Sequence, residues 1–364
     1  MTHVAFYAPL KPPTHPVPSG DRTIALNLMR VIQGGGATLE LVSDLRMREF
    51  DGNAARQAQL AQEAEREVAR LIPYLRDKGA DLWVTYHNYY KAPDLIGPAV
   101  ADALNLPYVI IEATRARKRL TGPWADFAAY AEAASDAANL ILYFTQHDAE
   151  ALHRDRVPGQ HLAWLRPFLG RRDLPKEAQH HDDPGAPMLA VGMMRYGDKL
   201  DSFTVMADTL AALPDSGWTL EIAGDGPARP EVEALMAPFG DKVRFLGQVR
   251  SDELDQIYAR AGLFFWPGVN EAFGMVYLEA QAAGLTCVAQ DRPGVRDVVR
   301  GVPLCPVEGG AKALAGRLSA LLADPDQRVA LGQDAQAHVA ADHLQGSAVN
   351  RFWSLMDTHL GVRP

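Results

Sequence analysis

The sequence is poor in cysteine: Cys287 and Cys305 are the only two among 364 residues. Two thiols build neither a disulfide framework nor a four-thiolate zinc site. No run of about 18 uninterrupted apolar residues occurs, so no membrane-spanning helix is predicted. Residues 1–10 lack a charged segment followed by a long apolar stretch, so no signal peptide is expected there. An excess of positive charge is also missing. Lys and Arg number 36 against 45 Asp and Glu, a formal net charge of −9. That argues against a protein that wraps nucleic acid, while leaving room for a local basic patch. No strand pattern runs into Gly-x-Gly-x-x-Gly with an acid about 20 residues further on, which disfavours a nicotinamide-dependent dehydrogenase. No Asp-x-Asp stands at a strand end, so neither a metal site nor a requirement for Mg²⁺ is expected. These absences point to a soluble, cytoplasmic protein.

What remains is ordinary globular material, 48% apolar and 22% charged. At about 150 residues per domain, the length suggests two domains. Residues 3–8 read as a strand. A Pro- and Gly-rich loop reaches Gly20, and residues 22–33 carry apolar side chains at helical spacing. Residues 38–43 are a second strand, which completes a βαβ unit. The long first βα loop is placed to serve a ligand over the strand ends. Strand and helix then alternate, as in a doubly wound α/β domain. Strands are predicted at 81–86, 108–112 and 139–144, with helices at 53–78, 93–104 and 123–137. Residues 173–187 hold prolines, paired histidines and acids without apolar period, and read as a linker. A second alternating series opens at 188. The expected domains are 1–172 and 188–345.

Three loops of the second series carry chemistry. In 267–284, Glu271 precedes Phe273 and Gly274, where a helix begins. The free N–H groups of Gly274, Met275 and Val276 would favour a phosphate through oriented donors and the helix dipole. Glu279 lies further in, and an ionised carboxylate accepts two hydrogen bonds from vicinal hydroxyls. Taken singly, each acid also fits an N-terminal or surface position on a helix. In 192–199, Gly192, Arg195 and Lys199 follow a strand. The two cations suit a diphosphate, or are a solvated i,i+4 pair. In 223–227 two glycines follow another strand, which alone means little more than a tight turn.

Together, and in this order, these loops resemble the family 4 glycosyltransferases, retaining enzymes of the GT-B fold. The likeness runs with gaps from about 188 to 341. It covers the Gly192/Arg195/Lys199 loop, Ile222-Ala-Gly-Asp-Gly-Pro227, Val243-Arg-Phe-Leu-Gly247, Glu271 and Glu279 with seven residues between them, and Pro293-Gly-Val-Arg-Asp-Val-Val299. The resemblance implies two facing Rossmann-like domains with a cleft between them. A C-terminal helix, about 346–364, would return to the first domain, and closure would bring Gly20 and His87 towards the donor. It implies a sugar moved from a nucleotide-diphosphate sugar to a glycolipid, polysaccharide or small-molecule acceptor, with an α-linked product. UDP is favoured by family frequency, with ADP and GDP as alternatives, and no separate cofactor is needed.

The implied roles are specific. Glu279 holds the ribose, and Glu271 meets the transferred sugar. Gly274, Met275 and Val276 hold the distal phosphate, beside Phe273. Arg195 and Lys199 neutralise the leaving diphosphate, with Gly192 and Gly224 in the flanking turns. Gly247, Gln248 and Val249 lie near the base. Gly20, in the Ser-Gly-Asp segment, stands where the family has a glycine-rich loop. One departure matters. Where the family often carries a histidine, this chain reads Glu112-Ala113-Thr114; His87 after the preceding strand is a candidate substitute, or else a hydrogen-bonded loop histidine. Asp21, Glu112, Arg115 and Tyr89 are the acceptor-side candidates. The basic run Arg115, Arg117, Lys118 and Arg119 suits an anionic acceptor or the inner face of a membrane. Other readings of the chain are a relative with epimerase or phosphorylase chemistry, the latter needing a pyridoxal-bearing lysine for which Lys199 is the candidate, or a non-catalytic nucleotide-sugar sensor.

Overall fold

A computed structural model describes residues 1–17, 19–176, 181–215, 217–271 and 274–364. The chain forms two compact units, Met1–Arg166 with Gln345–Pro364, and Pro167–Leu344.

Unit 1 alternates β1 (His3–Tyr7), α1 (Gly20–Gly34), β2 (Thr38–Ser43), α2 (Ala54–Lys78), β3 (Leu82–Asn88), α3 (Gly97–Leu104), β4 (Tyr108–Ala113), α4 (Ala125–Ala137), β5 (Leu140–Tyr143), α5 (Gln146–Arg154) and β6 (His161–Trp164). The sheet is parallel, in the order β2-β1-β3-β4-β5-β6. Its inner strands are apolar almost without break, because helices cover both faces of such a sheet. All four residues of β5 are buried, whereas the edge strand β2 is largely half-exposed. Helix starts follow side-chain caps: Ser19 accepts from the Arg22 N–H, Asn53 from Arg56 and Thr145 from Asp148.

Unit 2 continues with β7 (Met188–Val191), α6 (Asp198–Ala212), β8 (Leu220–Ala223), α7 (Arg229–Met236), β9 (Val243–Gly247), α8 (Ser251–Arg260), β10 (Leu263–Phe265), α9 (Met275–Ala282), β11 (Cys287–Val288), α10 (Pro293–Arg296), α11 (Gly310–Ala323) and α12 (Pro325–Asp342). Its parallel sheet runs β11-β10-β7-β8-β9. The last helix, α13 (Gln345–Leu360), belongs to unit 1 and packs on α1. There the Trp353 indole N–H donates to Ile32 O at 3.1 Å, lying where a Cβ on Gly35 would be.

The structure differs from the sequence reading at three places. Helix α3 starts at Gly97 rather than 93. Buried Asp94 accepts from the Ile96 and Gly97 N–H groups and from the Thr85 and Tyr108 hydroxyls, which ties the preceding turn to the sheet. Strand β6 was not anticipated; it is a four-residue edge strand with little alternation. The described residues of 173–187 lie inside unit 2, and the chain passes between units at Arg166/Pro167 and Leu344/Gln345. His181 is buried, its ring nitrogens 2.6 and 2.7 Å from the carbonyls of Ala261 and Ala283, and Arg328 donates to the His181 and Asp183 carbonyls. Residues 177–180 lie outside the described residues. Among the described residues no helix is long and apolar enough to cross a membrane.

Each sheet reverses its winding once. In unit 1 the reversal lies between β1 and β3, and in unit 2 between β7 and β10. Ligands of doubly wound folds bind beyond the strand C-termini at such points. The candidate residues gather at both.

Candidate functional site

In unit 2 the loops after β7, β8 and β9 are stitched together through their backbones. Gly192 N–H donates to Ala223 O, Met194 N–H to Asp225 O, Ala228 N–H to Met194 O and Gly224 N–H to Gly247 O, at 2.8–3.0 Å. Gly224 and Gly226 sit at φ 146° and 156°. A Cβ on Gly224 would strike the Gly192 carbonyl, and one on Gly226 the Met194 carbonyl. The Gly-Asp-Gly sequence is thus demanded by loop-on-loop packing, which raises it above a generic turn. Gly226→Ala should cost about 1–3 kcal/mol, from backbone strain and clash. An unchanged thermal midpoint would contradict this.

Arg195 and Lys199 part company in the structure. Arg195 is exposed, whereas Lys199, in the first turn of α6, is half-buried. The Lys199 ammonium lies 2.6 Å from Glu271 Oε2 and 5.4 Å from the Trp266 ring centre. The Trp266 indole N–H donates to the same carboxylate oxygen at 3.1 Å. Trp266 fits because position 192 has no side chain; a Cβ there would lie 3.1 Å from the indole. The Glu271 loop is pinned to α6, with Ser202 Oγ accepting from the Val269 N–H at 3.0 Å and Asn270 donating to Asp198 at 2.8 Å.

Helix α9 is preceded by Gly274 as its N-cap, which has φ 52° and offers no side-chain cap. Its first N–H groups, including those of Met275 and Val276, therefore lack intrahelical acceptors and present a positive helix end. Phe273 lies outside the described residues. One turn on, half-buried Glu279 accepts from the Tyr258 hydroxyl at 3.1 Å. Burial pushes its carboxyl up from 4.5 to about 7, against the Tyr258 hydrogen bond and with help from Asp255. Asp255 in turn holds Arg171 through two bonds of 3.0 and 2.9 Å. At the end of β9, Gly247 turns with φ 69°, Gln248 is exposed and Val249 packs against the core. Trp266, Tyr258 and Asp255 were missed by sequence reasoning. An aromatic in an apolar strand or on a helix stripe gives no sign of facing a carboxylate.

In unit 1 two neighbouring strands end in strained backbone. His87 on β3 has φ 67° and Glu112 on β4 has φ 63°. Neither is glycine, and each such residue costs about 1–3 kcal/mol, a strain concentrated at functional sites. Asn88 pairs with Ala113 across the two strands, so His87 and Glu112 end side by side. His87 Nδ1 lies 3.7 Å from Glu112 Oε1 and 3.8 Å from Asp21 Oδ1, and has no hydrogen-bond partner among the described residues. Burial raises the Glu112 carboxyl, His87 opposes this, and Asp148 and Asp21 add to it. The Tyr89 ring stacks 4.9 Å from His87. Gly20 starts α1 with open space where a Cβ would project, so no steric demand for glycine exists there.

Arg115 is a correction. Its side chain is 1% exposed and pairs with Glu132 at 2.9 Å and Asp136 at 2.6 Å. A buried guanidinium needs such partners, and an inward-facing, neutralised Arg115 has no charge to offer an acceptor. The basic run thereby divides. Arg117 pairs with Asp155 at 3.4 Å, Lys118 is exposed, and Arg119 lies over the Tyr90 and Trp124 rings.

Over its full length the chain superposes on sucrose-phosphate synthase from Thermosynechococcus elongatus, with a TM-score of 0.72, 17% identity and coverage of 98% and 99% of the two chains. The lipopolysaccharide outer core galactosyltransferase gives a TM-score of 0.71 at 15% identity, with coverage of 99% and 100%. These likenesses establish the fold, two doubly wound parallel-sheet units of the GT-B class. By sequence, the chain is 32% identical over 235 residues to D-inositol 3-phosphate glycosyltransferase of Salinispora arenicola, covering 62% of this chain and 46% of that one. It is 33% identical over 145 residues to a GDP-mannose-dependent phosphatidylinositol monomannoside mannosyltransferase of Corynebacterium glutamicum, covering 38% of each. The chain thus spans less than half the length of these curated relatives. Residues 187–324, which hold the loops after β7 to β10 described above, match the family Glycosyl transferases group 1.

Proposed function

We propose that the protein is a retaining glycosyltransferase that moves a sugar from a nucleotide-diphosphate sugar to an acceptor hydroxyl, with an α-linked product. The observation that best supports this is the Lys199–Glu271–Trp266 cluster beside the uncapped start of α9, with Glu279 one turn further in. A cation and a positive helix end suit a diphosphate. A half-buried carboxylate suits vicinal ribose hydroxyls. In the proposed reaction the C1–O bond to the diphosphate breaks and the acceptor oxygen bonds C1 on the same face. The acceptor proton passes to the leaving phosphate oxygen, which departs as the nucleoside diphosphate. The barrier is governed by charge growing on the leaving phosphate and on the oxocarbenium-like sugar. Lys199, Arg195 and the Gly274 helix end are assigned to the first, and Glu271 to the sugar hydroxyls. His87, with Glu112 beside it, takes the role of the family's absent histidine. Gln248 and Val249 are assigned to the base. UDP is the favoured nucleotide, while the mannosyltransferase relative is named for GDP-mannose. The acceptor is taken from solution or from the inner face of a membrane, with the protein cytoplasmic or peripheral there.

A thermal-shift panel of UDP-, GDP- and ADP-sugars tests the donor. A ligand at 100 times its Kd should stabilise the native state by about 2.7 kcal/mol. The same sugar should then release free nucleotide in the presence of an acceptor extract. Stabilisation without release would favour a nucleotide-sugar sensor, and no stabilisation by any of the three would sink the donor assignment.

A further inference from the structure

Glu279 has no cation bonded to it, although one acts on it from nearby. The Arg171 guanidinium is forked on Asp255, its Nη1 and Nη2 at 3.0 and 2.9 Å from the two carboxylate oxygens. Its Nε donates to the Asp173 carbonyl at 2.9 Å, which fixes the fork from the other side. Glu279 receives the Tyr258 hydroxyl on Oε2 at 3.1 Å, and no other side-chain donor among the described residues. Asp255 and Tyr258 stand three residues apart on α8 and so share one face of that helix. That face sets an acid and a hydroxyl around one carboxylate of α9.

The hydroxyl is firmly placed. Tyr258 is buried, with its ring centre 6.1 Å from that of Phe264 on β10. Burial, and after it the Glu279 charge, raises the Tyr258 hydroxyl well above its usual range, so it remains a donor. Burial raises the Glu279 carboxyl to about 7; the Tyr258 bond opposes this, Asp255 adds to it and Arg171 opposes it. A guanidinium bonded directly to Glu279 would keep it ionised, but ligand hydroxyls would then have to displace a charge-assisted bond. A buried carboxylate with no partner would hold its proton at neutral pH. The observed arrangement lies between these extremes. One oxygen carries a neutral hydroxyl, and the nearby cation is matched by Asp255 instead of by Glu279.

We infer that Tyr258, Asp255 and Arg171 are positioning residues for nucleotide binding. Tyr258 occupies one oxygen of Glu279 and leaves the other for the ligand, and the Arg171–Asp255 pair keeps a cation near that carboxylate without locking it. The inference rests on the reading of Glu279 as the ribose group and deepens it, because it makes donor binding depend on three residues outside the ligand's reach.

Two measurements on the full chain test this. The first is the titration of Glu279 in the protein alone, by carbon NMR of chain labelled at the glutamate carboxyls, with Glu279→Gln identifying the signal. Asp255→Asn removes an acid and frees Arg171, so the midpoint should fall by about half a pH unit or more. Arg171→Gln leaves Asp255 unmatched, and Tyr258→Phe removes a donor to the ionised form, so both midpoints should rise by about as much. The second measurement is calorimetry with UDP-glucose, GDP-mannose and ADP-glucose from pH 5.5 to 8.5. For whichever of these binds, affinity at pH 6 should be about threefold higher in Asp255→Asn and about threefold lower in Arg171→Gln. These two variants should converge on wild type at pH 8.5. Tyr258→Phe should keep a deficit there, because its carboxylate is ionised but no longer aimed. A pair that only ties α8 to its neighbour would move both variants the same way at every pH. An unmoved Glu279 midpoint in all three variants, or shifts of one sign in Asp255→Asn and Arg171→Gln, overturns the inference. Opposed midpoints in a chain whose nucleotide-sugar affinity does not follow them would overturn the ribose reading and leave the control of Glu279 standing.

Discussion

Nucleotide-sugar affinity should fall about thirtyfold between pH 8 and pH 5.5, by about tenfold per unit once Glu279 is mostly protonated. The cause is the carboxyl raised to about 7 by burial, with the Tyr258 hydroxyl as its only side-chain hydrogen-bond donor among the described residues. Ribose hydroxyls donate to the ionised form, so binding competes with the proton. At pH 7 complex formation should release part of a proton, measurable as a binding enthalpy that varies with the buffer. Glu279→Gln should bind weakly at every pH, with no such release. Parallel pH profiles for the two proteins would remove the ribose role. The empty protein should show the opposite trend in stability. A carboxyl raised on folding holds its proton more tightly in the native state. Its contribution is therefore full below pH 4.5 and is lost as pH rises to about 7, by at most about 3 kcal/mol for a half-buried group. Glu279→Gln should gain stability over wild type above pH 7, where the buried charge is absent.

Much of unit 2 was legible in the sequence because its chemistry lies on short loops directly after apolar strands. Gly224, Gly226 and Gly274 mark those loops since their backbones need conformations or clearances that other residues resist. Glu271 and Glu279 lie on either side of a helix start that Gly274 announces. Lys199 and Arg195 stand in different surroundings although the sequence sets them in one loop. The i,i+4 spacing suggests equal access, whereas the fold turns one towards Glu271 and leaves the other in solvent. Unit 1 was legible only as a fold. The positive φ angles of His87 and Glu112 leave no mark in residue identity, because strained backbone at non-glycine residues is imposed by tertiary context. Arg115 and Arg119 are four residues apart in one basic run, yet one is paired with two acids of α4 and the other lies on aromatic rings. Their difference depends on Glu132, Asp136, Tyr90 and Trp124, which no local pattern connects to them.

Lys199→Ala should lower kcat/KM with the nucleotide sugar by about 10²–10³, the loss expected when one donor to a developing oxyanion is removed. The drop should fall mainly on kcat, since charge on the leaving phosphate is larger in the transition state than in the ground state. Glu271 separates this role from simple packing. Its carboxylate holds Lys199 at 2.6 Å and Trp266 at 3.1 Å. An incoming diphosphate must draw the ammonium away from that carboxylate. Glu271→Gln keeps the shape and removes the charge, so it releases Lys199 and ends the repulsion between carboxylate and phosphate. The variant should bind the free nucleoside diphosphate more tightly than wild type, by a few-fold, while turning over about tenfold or more slowly because the sugar hydroxyls lose a charged acceptor. Tighter product binding with slower turnover is a combination that loss of folding does not produce. If Glu271→Gln weakens diphosphate binding, or if Lys199→Ala keeps wild-type kcat, the ion pair is a structural tie across the loop and the leaving-group role passes to Arg195 and the Gly274 helix end.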